Sequence, residues 1–125
     1  MEKLPTKMRE LYWRVFVNTN DSEKAKVIRN SIFRELKNCE LVSCKAYWKD
    51  NSLYELEFKQ KLEEQESSKI IIEVFSKVIL FSTSWMIDIP TSFKVENFEL
   101  SGLVDSGIKF NGVKWISFML QDVIE

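Results

Sequence analysis

The chain reads as an α+β protein: a ferredoxin-like split βαβ arrangement, two helices on an antiparallel sheet, with a C-terminal β-meander extension. Three observations predict it. Apolar residues alternate with period two over residues 10–18 and 53–61, and recur at helical spacing between Asp21 and Lys37 and again from Lys69 to Ser82. Turn-forming residues separate the segments, and Asn111-Gly112 between apolar runs is the strongest short-range hairpin signal a sequence carries. Finally, 125 residues with 45% hydrophobic content suit one globular domain over residues 1–125, with an apolar core of its own.

Residues 10–18 place Trp13, Val15 and Val17 on one face of a strand rich in aromatic and β-branched types. Asn18 to Ser22 then supply turn and cap residues, with Asn20 and Glu23 at capping-box spacing. The helix that follows, to about Lys37, gathers Ala25, Ile28, Ile32, Phe33 and Leu36 on one arc and Lys26, Asn30, Arg34 and Lys37 on the other. Strands are expected at 40–48 and 53–61, joined by the turn Lys49-Asp50-Asn51-Ser52. In the second of them Tyr54, Leu56 and Phe58 share one face, while Glu55, Glu57 and Lys59 share a face that meets water or a partner.

The acidic run Glu63-Glu64-Gln65-Glu66 suits the positive end of a following helix. That helix, over 69–82, sets Ile70, Ile71, Ile72, Val74, Phe75, Val78, Ile79 and Phe81 on a wide apolar arc against Lys69, Glu73, Ser76 and Lys77. Ile32 and Phe75 are expected to meet in the core. A short strand at 85–89 stops at Pro90, and strands at 93–104, 107–110 and 113–120 form the meander, with Asp105-Ser106-Gly107 and Asn111-Gly112 as its turns.

Composition removes several functions. The chain has no histidine, so the usual base of a nucleophilic triad and the commonest zinc ligand are missing. Three glycines leave no phosphate-cradling loop. Cys39 and Cys44, five residues apart along a strand, would hold their Cα atoms roughly 16 Å apart, beyond disulfide reach. Neither a metal site nor a cofactor is expected. The N-terminal Met1-Glu2-Lys3-Leu4-Pro5 lacks a signal peptide's apolar stretch and residues 70–81 are too short to cross a bilayer, so a cytoplasmic protein without membrane contact is expected.

Val15-Phe16-Val17-Asn18 has the look of one motif of the RNA-recognition module, but Leu53 to Phe58 offers carboxylates where the second motif needs basic and small residues. Nucleic-acid binding is therefore not expected. Glu55 and Glu57, with Cα atoms roughly 6.5 to 7 Å apart, could serve as an acid/base pair, but no catalytic signature accompanies them. No enzyme activity is expected.

Binding is what remains. Trp48 precedes a turn, where a tryptophan is hard to bury, and exposed tryptophans beside charge make good interface anchors. Residues 1–50 carry eleven Lys and Arg against seven Asp and Glu, and residues 51–125 seven against twelve. Trp48, Asp50, Glu55, Glu57, Glu63 and Glu64 are accordingly the candidate partner-binding residues, and an acidic face beside an aromatic anchor suits a basic protein. In size and acidity, and in segments such as Trp85-Met86-Ile87-Asp88-Ile89 and Phe98-Glu99-Leu100-Ser101-Gly102, the chain resembles the small immunity proteins that neutralise polymorphic toxins, including those of bacterial contact-dependent growth inhibition systems. The resemblance implies a stoichiometric inhibitor of one basic toxin domain, such as a nuclease, and carries over no functional residue. The alternative is a ligand-binding or regulatory domain that forms a homodimer through strand edges.

Overall fold

A computed structural model of the chain describes residues 8–64, 66–89 and 98–123. Six strands and two helices follow the order β1 (Arg9–Val17), α1 (Ser22–Glu35), β2 (Cys39–Ala46), β3 (Tyr54–Lys61), α2 (Ser67–Val78), β4 (Met86–Asp88), β5 (Ser101–Val104) and β6 (Val113–Asp122). The strands form one sheet, ordered β2-β3-β1-β6-β5-β4, and every neighbouring pair is antiparallel.

β1 lies at the centre because its sequence is apolar on one face for its whole length. Leu11, Trp13, Val15 and Val17 are buried together with Leu56 and Phe58 of β3, Ile116, Phe118 and Leu120 of β6, and the stripes Ala25 and Ile32 of α1 and Ile70, Val74 and Val78 of α2. Both helices therefore cover the same face of the sheet. The opposite face carries no helix among the described residues, and that asymmetry positions the candidate site.

Several expectations are corrected. A ferredoxin-like order would set the strand after α2 beside β1, yet β6 takes that place and β4 lies at the far edge. No strand forms at Gly107 to Phe110. That segment bonds instead to the end of α2: the Lys109 N–H donates to the Phe81 carbonyl at 2.7 Å and the Ser82 hydroxyl to the Ser106 carbonyl at 3.1 Å. Phe110 packs on Phe81 at 5.2 Å between ring centroids, so its ring goes to the core and its backbone leaves the sheet. Asn111-Gly112 still turns the chain, with Gly112 at φ 85° and a Cβ there 2.8 Å from Ile28, which only glycine avoids. Of the strand expected at 93–104, residues 93–97 lie outside the described residues, residues 98–100 are not strand, and β5 starts at Ser101.

Asp21, not Asn20, caps α1, its carboxylate accepting from the Glu23 N–H at 2.8 Å and the Lys24 N–H at 3.5 Å. The helix ends at Glu35 rather than near Lys37, and the chain turns through Asn38 at φ 61°. On α2 the apolar arc is wider than the surface it covers: Ile72 is 71% exposed and Ile79 also faces water. Phe75 is half-buried at the edge of the core, whereas Ile32 is fully enclosed.

These burial differences set the cost of truncation. Ile32→Ala should destabilise the fold by about 2 to 5 kcal/mol, and Phe75→Ala by less, because only part of its ring leaves water. Urea unfolding of both variants measures this, and a larger loss at Phe75 would contradict the helix placement.

Candidate functional site on the open sheet face

Residues alternate across the sheet, so the face away from the helices is built from cross-strand rows. One row runs Met86, Leu103, Ser117, Arg14, Glu57, Ser43 from β4 to β2. The next runs Asp88, Ser101, Met119, Tyr12, Lys59, Glu40, and on the other side lie Trp115, Phe16, Glu55 and Lys45. The face thus divides into an apolar and hydroxyl-bearing half over β4, β5 and β6 and a charged half over β1, β3 and β2.

In the charged half, β3 brings Glu55 and Glu57 to the same face two residues apart, and β1 brings Arg14 and Tyr12 against them. Arg14 Nη2 donates to Glu55 Oε1 at 3.3 Å, and its Nε stands 3.9 Å from Glu57 Oε1. The Tyr12 hydroxyl donates to Glu57 Oε2 at 2.5 Å. Burial, reinforced by the bond to Glu57, pushes the Tyr12 hydroxyl up to about 12. Burial raises the Glu55 carboxyl, and the neighbouring Glu57 adds to the rise; Glu57 is held low by its interaction with Glu55, by the Tyr12 hydroxyl and by Lys45 and Arg14.

This corrects the reading of a wet acidic strand face. Glu55 is 3% exposed and Glu57 half-buried, and Arg14 and Lys45 stand beside them on the flanking strands. Their charges are spent within the sheet rather than projected outward. Sequence spacing could not reveal this, because the partners come from register between distant strands.

The aromatic side chains continue the surface toward one end. Phe16 is fully buried on this face, stacked on Trp115 at 3.6 Å between centroids, met by Tyr47 at 4.7 Å, and overlain by the Arg14 guanidinium at 5.1 Å. Tyr47 then meets Trp48 edge-on at 6.3 Å. Trp48 is 79% exposed at the tip of the β2–β3 connection, with Lys49 Nζ 5.0 Å from its ring centroid. Asp50 holds the same turn: its Oδ1 accepts from the Ser52 hydroxyl at 2.6 Å and the Ser52 N–H at 3.0 Å, which lowers its pKa.

Glu63 and Glu64 lie past the opposite end of β3, about 23 Å of strand away from Trp48 and Asp50. The structure therefore does not bring all six candidates together. The backbone N–H groups of Glu63 and Glu64 are held by Glu73 of α2, which accepts from Glu63 at 3.1 Å and Glu64 at 2.9 Å and pairs with Lys77 at 3.2 Å. Sequence reasoning set Glu73 on the solvent stripe; its fixed place four residues before Lys77 was the one local hint of another role.

The apolar half of the face carries a trough of about 660 Å³. Ser101 and Ser117 line it between the larger Met86, Leu103, Met119 and Trp115, with Tyr12 and Arg14 on the β1 side and Asp88 on the β4 side. None of these was singled out from the sequence, although Trp85 to Ile89 and Phe98 to Gly102 drew notice as segments. Cys39 and Cys44 are free thiols, half-buried on the helix side, and burial pushes Cys39 up to about 11. Among the described residues no group of three His, Cys, Asp or Glu side chains stands close enough to hold a metal ion, and no helix is long and apolar enough to cross a membrane.

Two outcomes follow from the charge geometry. Glu55→Lys buries a third cation beside Arg14 and Lys45 and should cost about 3 to 5 kcal/mol, with Glu57→Lys costing less; urea midpoints within experimental error of wild type for both would show that the pair is solvated. At Glu73, burial opposes the charge, but the two N–H donors and Lys77 outweigh it and the pKa falls below the ordinary value. A carboxyl depressed by folding stabilises above its unfolded pKa of about 4.3 and loses that contribution as pH falls through the folded value. Glu73→Gln should therefore cost about 1 kcal/mol or more at pH 7, the difference shrinking as pH falls below the unfolded pKa of about 4.3; a loss independent of pH would assign Glu73 a purely steric role.

Comparison with models of known protein families, with curated protein sequences and with solved structures finds no match for the chain, so its function has to be argued from this surface.

Proposed function

We propose that the protein is a non-catalytic protein-binding module, most concretely an immunity protein that neutralises a cognate bacterial toxin, a basic domain such as a nuclease, by stoichiometric binding in the cytoplasm. The observation that carries this reading is Trp48, a large aromatic side chain left 79% exposed on a turn that hydrogen bonds hold rigid. Tryptophans in such places are enriched among interface residues that dominate binding energy, since they bring apolar area with few rotatable bonds. Because Glu55 and Glu57 are compensated within the sheet, steering toward a basic partner falls to exposed carboxylates such as Glu63 and Glu64.

A second reading is supported by the trough: a ligand-binding domain whose site is the apolar half of the open face. Its volume of about 660 Å³ lies in the range of small-molecule sites. On the fold, we read β4, β5 and β6 as a C-terminal meander appended to the β1-α1-β2-β3-α2 unit; the neighbouring places of β6, β5 and β4 in the sheet support it.

The test of the first reading is a titration of Trp48→Ala against a candidate basic toxin domain, with thermal unfolding alongside. Inhibition should saturate at one equivalent. The substitution should weaken binding by about 2 kcal/mol or more while changing stability by less than about 0.5 kcal/mol. Unchanged affinity would remove the hairpin tip from the interface, and loss of toxin activity at substoichiometric protein would overturn non-catalytic binding.

A further inference from the structure

We propose that the trough over β4, β5, β6 and β1 binds a planar aromatic carboxylate, with Arg14 taking the carboxylate; this rests on the ligand-binding reading and names its ligand class. The walls set the body of the ligand. Met86, Leu103, Met119 and the rings of Tyr12 and Trp115 are apolar or aromatic, and Ser101 and Ser117 leave room between them because each stands where its row neighbours are larger. A flat ring fills such a slot with little loss of internal freedom.

Arg14 sets the charge. Of the described residues lining the trough, Arg14 and Asp88 are the ones that carry charge. Asp88 sits on the edge strand, exposed and about 14 Å from β1, where water screens it. Arg14 stands on the central strand with its side chain 40% exposed. Its guanidinium has five N–H donors; among the described residues Nη2 donates to Glu55, and Nε stands 3.9 Å from Glu57. Glu55 on one side and the Phe16 ring beneath hold the planar fork in place, which suits bidentate capture of a carboxylate. The neighbouring acids do not occupy the whole fork: Glu55 takes one nitrogen at 3.3 Å and Glu57 stands 3.9 Å from another, while the Tyr12 hydroxyl donates to Glu57 and Lys45 stands opposite Glu55 as a second cation.

The probes are 2-naphthoate, neutral 2-naphthol and cationic 2-naphthylmethylamine, titrated into the whole chain with backbone amide shifts followed by NMR. 2-Naphthoate should bind saturably with a dissociation constant of about 1 mM or tighter, shifting Ser101, Leu103, Ser117 and Met119, and at least tenfold more tightly than either analogue. Ser101→Phe, which fills the trough two strands away from Arg14, should abolish binding, and Arg14→Gln should erase the preference for the anion. If the neutral or cationic probe binds as tightly as 2-naphthoate, the trough remains a ligand site but the proposed class fails. If no probe shifts these amides, the ligand-binding reading fails with it, and the protein-binding test at Trp48 is unaffected. Charge selectivity of the unmodified chain decides the matter even if Arg14→Gln does not fold.

Discussion

Burial of Trp13 is the constraint on which the other packing choices depend. Its ring lies on the central strand and meets Phe58 of β3, Phe118 of β6, Phe81 after α2 and Trp85 before β4, with centroids between 4.9 and 6.3 Å. Removing a side chain of this size from water contributes on the order of 4 to 6 kcal/mol, but its indole N–H must then be satisfied. It donates to Gln60 Oε1 at 3.0 Å, and Gln60 Nε2 in turn donates to the Lys37 carbonyl at 2.9 Å just past α1. One buried ring thereby fixes the register of β3 on β1 and ties the exit of α1 to both. Trp85 makes a matching bond from its indole N–H to the Val78 carbonyl at the end of α2, at 2.8 Å, so the second helix is tied to the same aromatic cluster.

Once Trp13 sets which face of β1 is buried, parity assigns the rest of the strand. Leu11, Val15 and Val17 go inward with it, and Tyr12, Arg14 and Phe16 must occupy the other face. Among the described residues no helix covers that face, yet the centre of a six-stranded sheet is not fully wet: Phe16 is enclosed by Trp115 and Tyr47, and Glu55 by its neighbours. A carboxylate there is tolerable only with a cation and hydrogen-bond donors at hand. Arg14, Lys45 and Tyr12 are those groups, and the charged half of the open face is in this sense a consequence of the core on the opposite side.

Elements whose determinants are local were legible in the sequence. The alternation in β1 and β3, the amphipathic period of α1 and the left-handed glycine at Gly112 each depend on residues within a few positions of one another. What failed depends on contacts between distant segments. Gly107 to Phe110 alternates like a strand, but the Phe81 carbonyl at the end of α2 captures its backbone. Ile72 and Glu73 both belong to α2, and the helical period orders them as core and surface; the loop at Glu63 and Glu64 needs a carboxylate to satisfy its N–H groups, so the order is reversed. The candidate site divided the same way. Exposure of Trp48 followed from its place beside a turn, whereas the burial of Glu55 and the trough between Met86 and Arg14 arise from strand register alone.

That division bears on how this surface can recognise anything. Charges already paired inside a sheet contribute little long-range field, and what remains at the surface is screened within about 8 to 10 Å at ordinary salt. Affinity at the open face must then come from shape and apolar contact, at Trp48 on the hairpin tip and along Met86, Leu103 and Met119 on the other half. Paired charges set direction and selectivity there: the Arg14 fork and the Glu57 carboxylate are fixed before any partner arrives, so little side-chain entropy is lost when one does. A surface of this kind discriminates by leaving a wrong partner's polar groups unsatisfied, which costs more than a missing apolar contact.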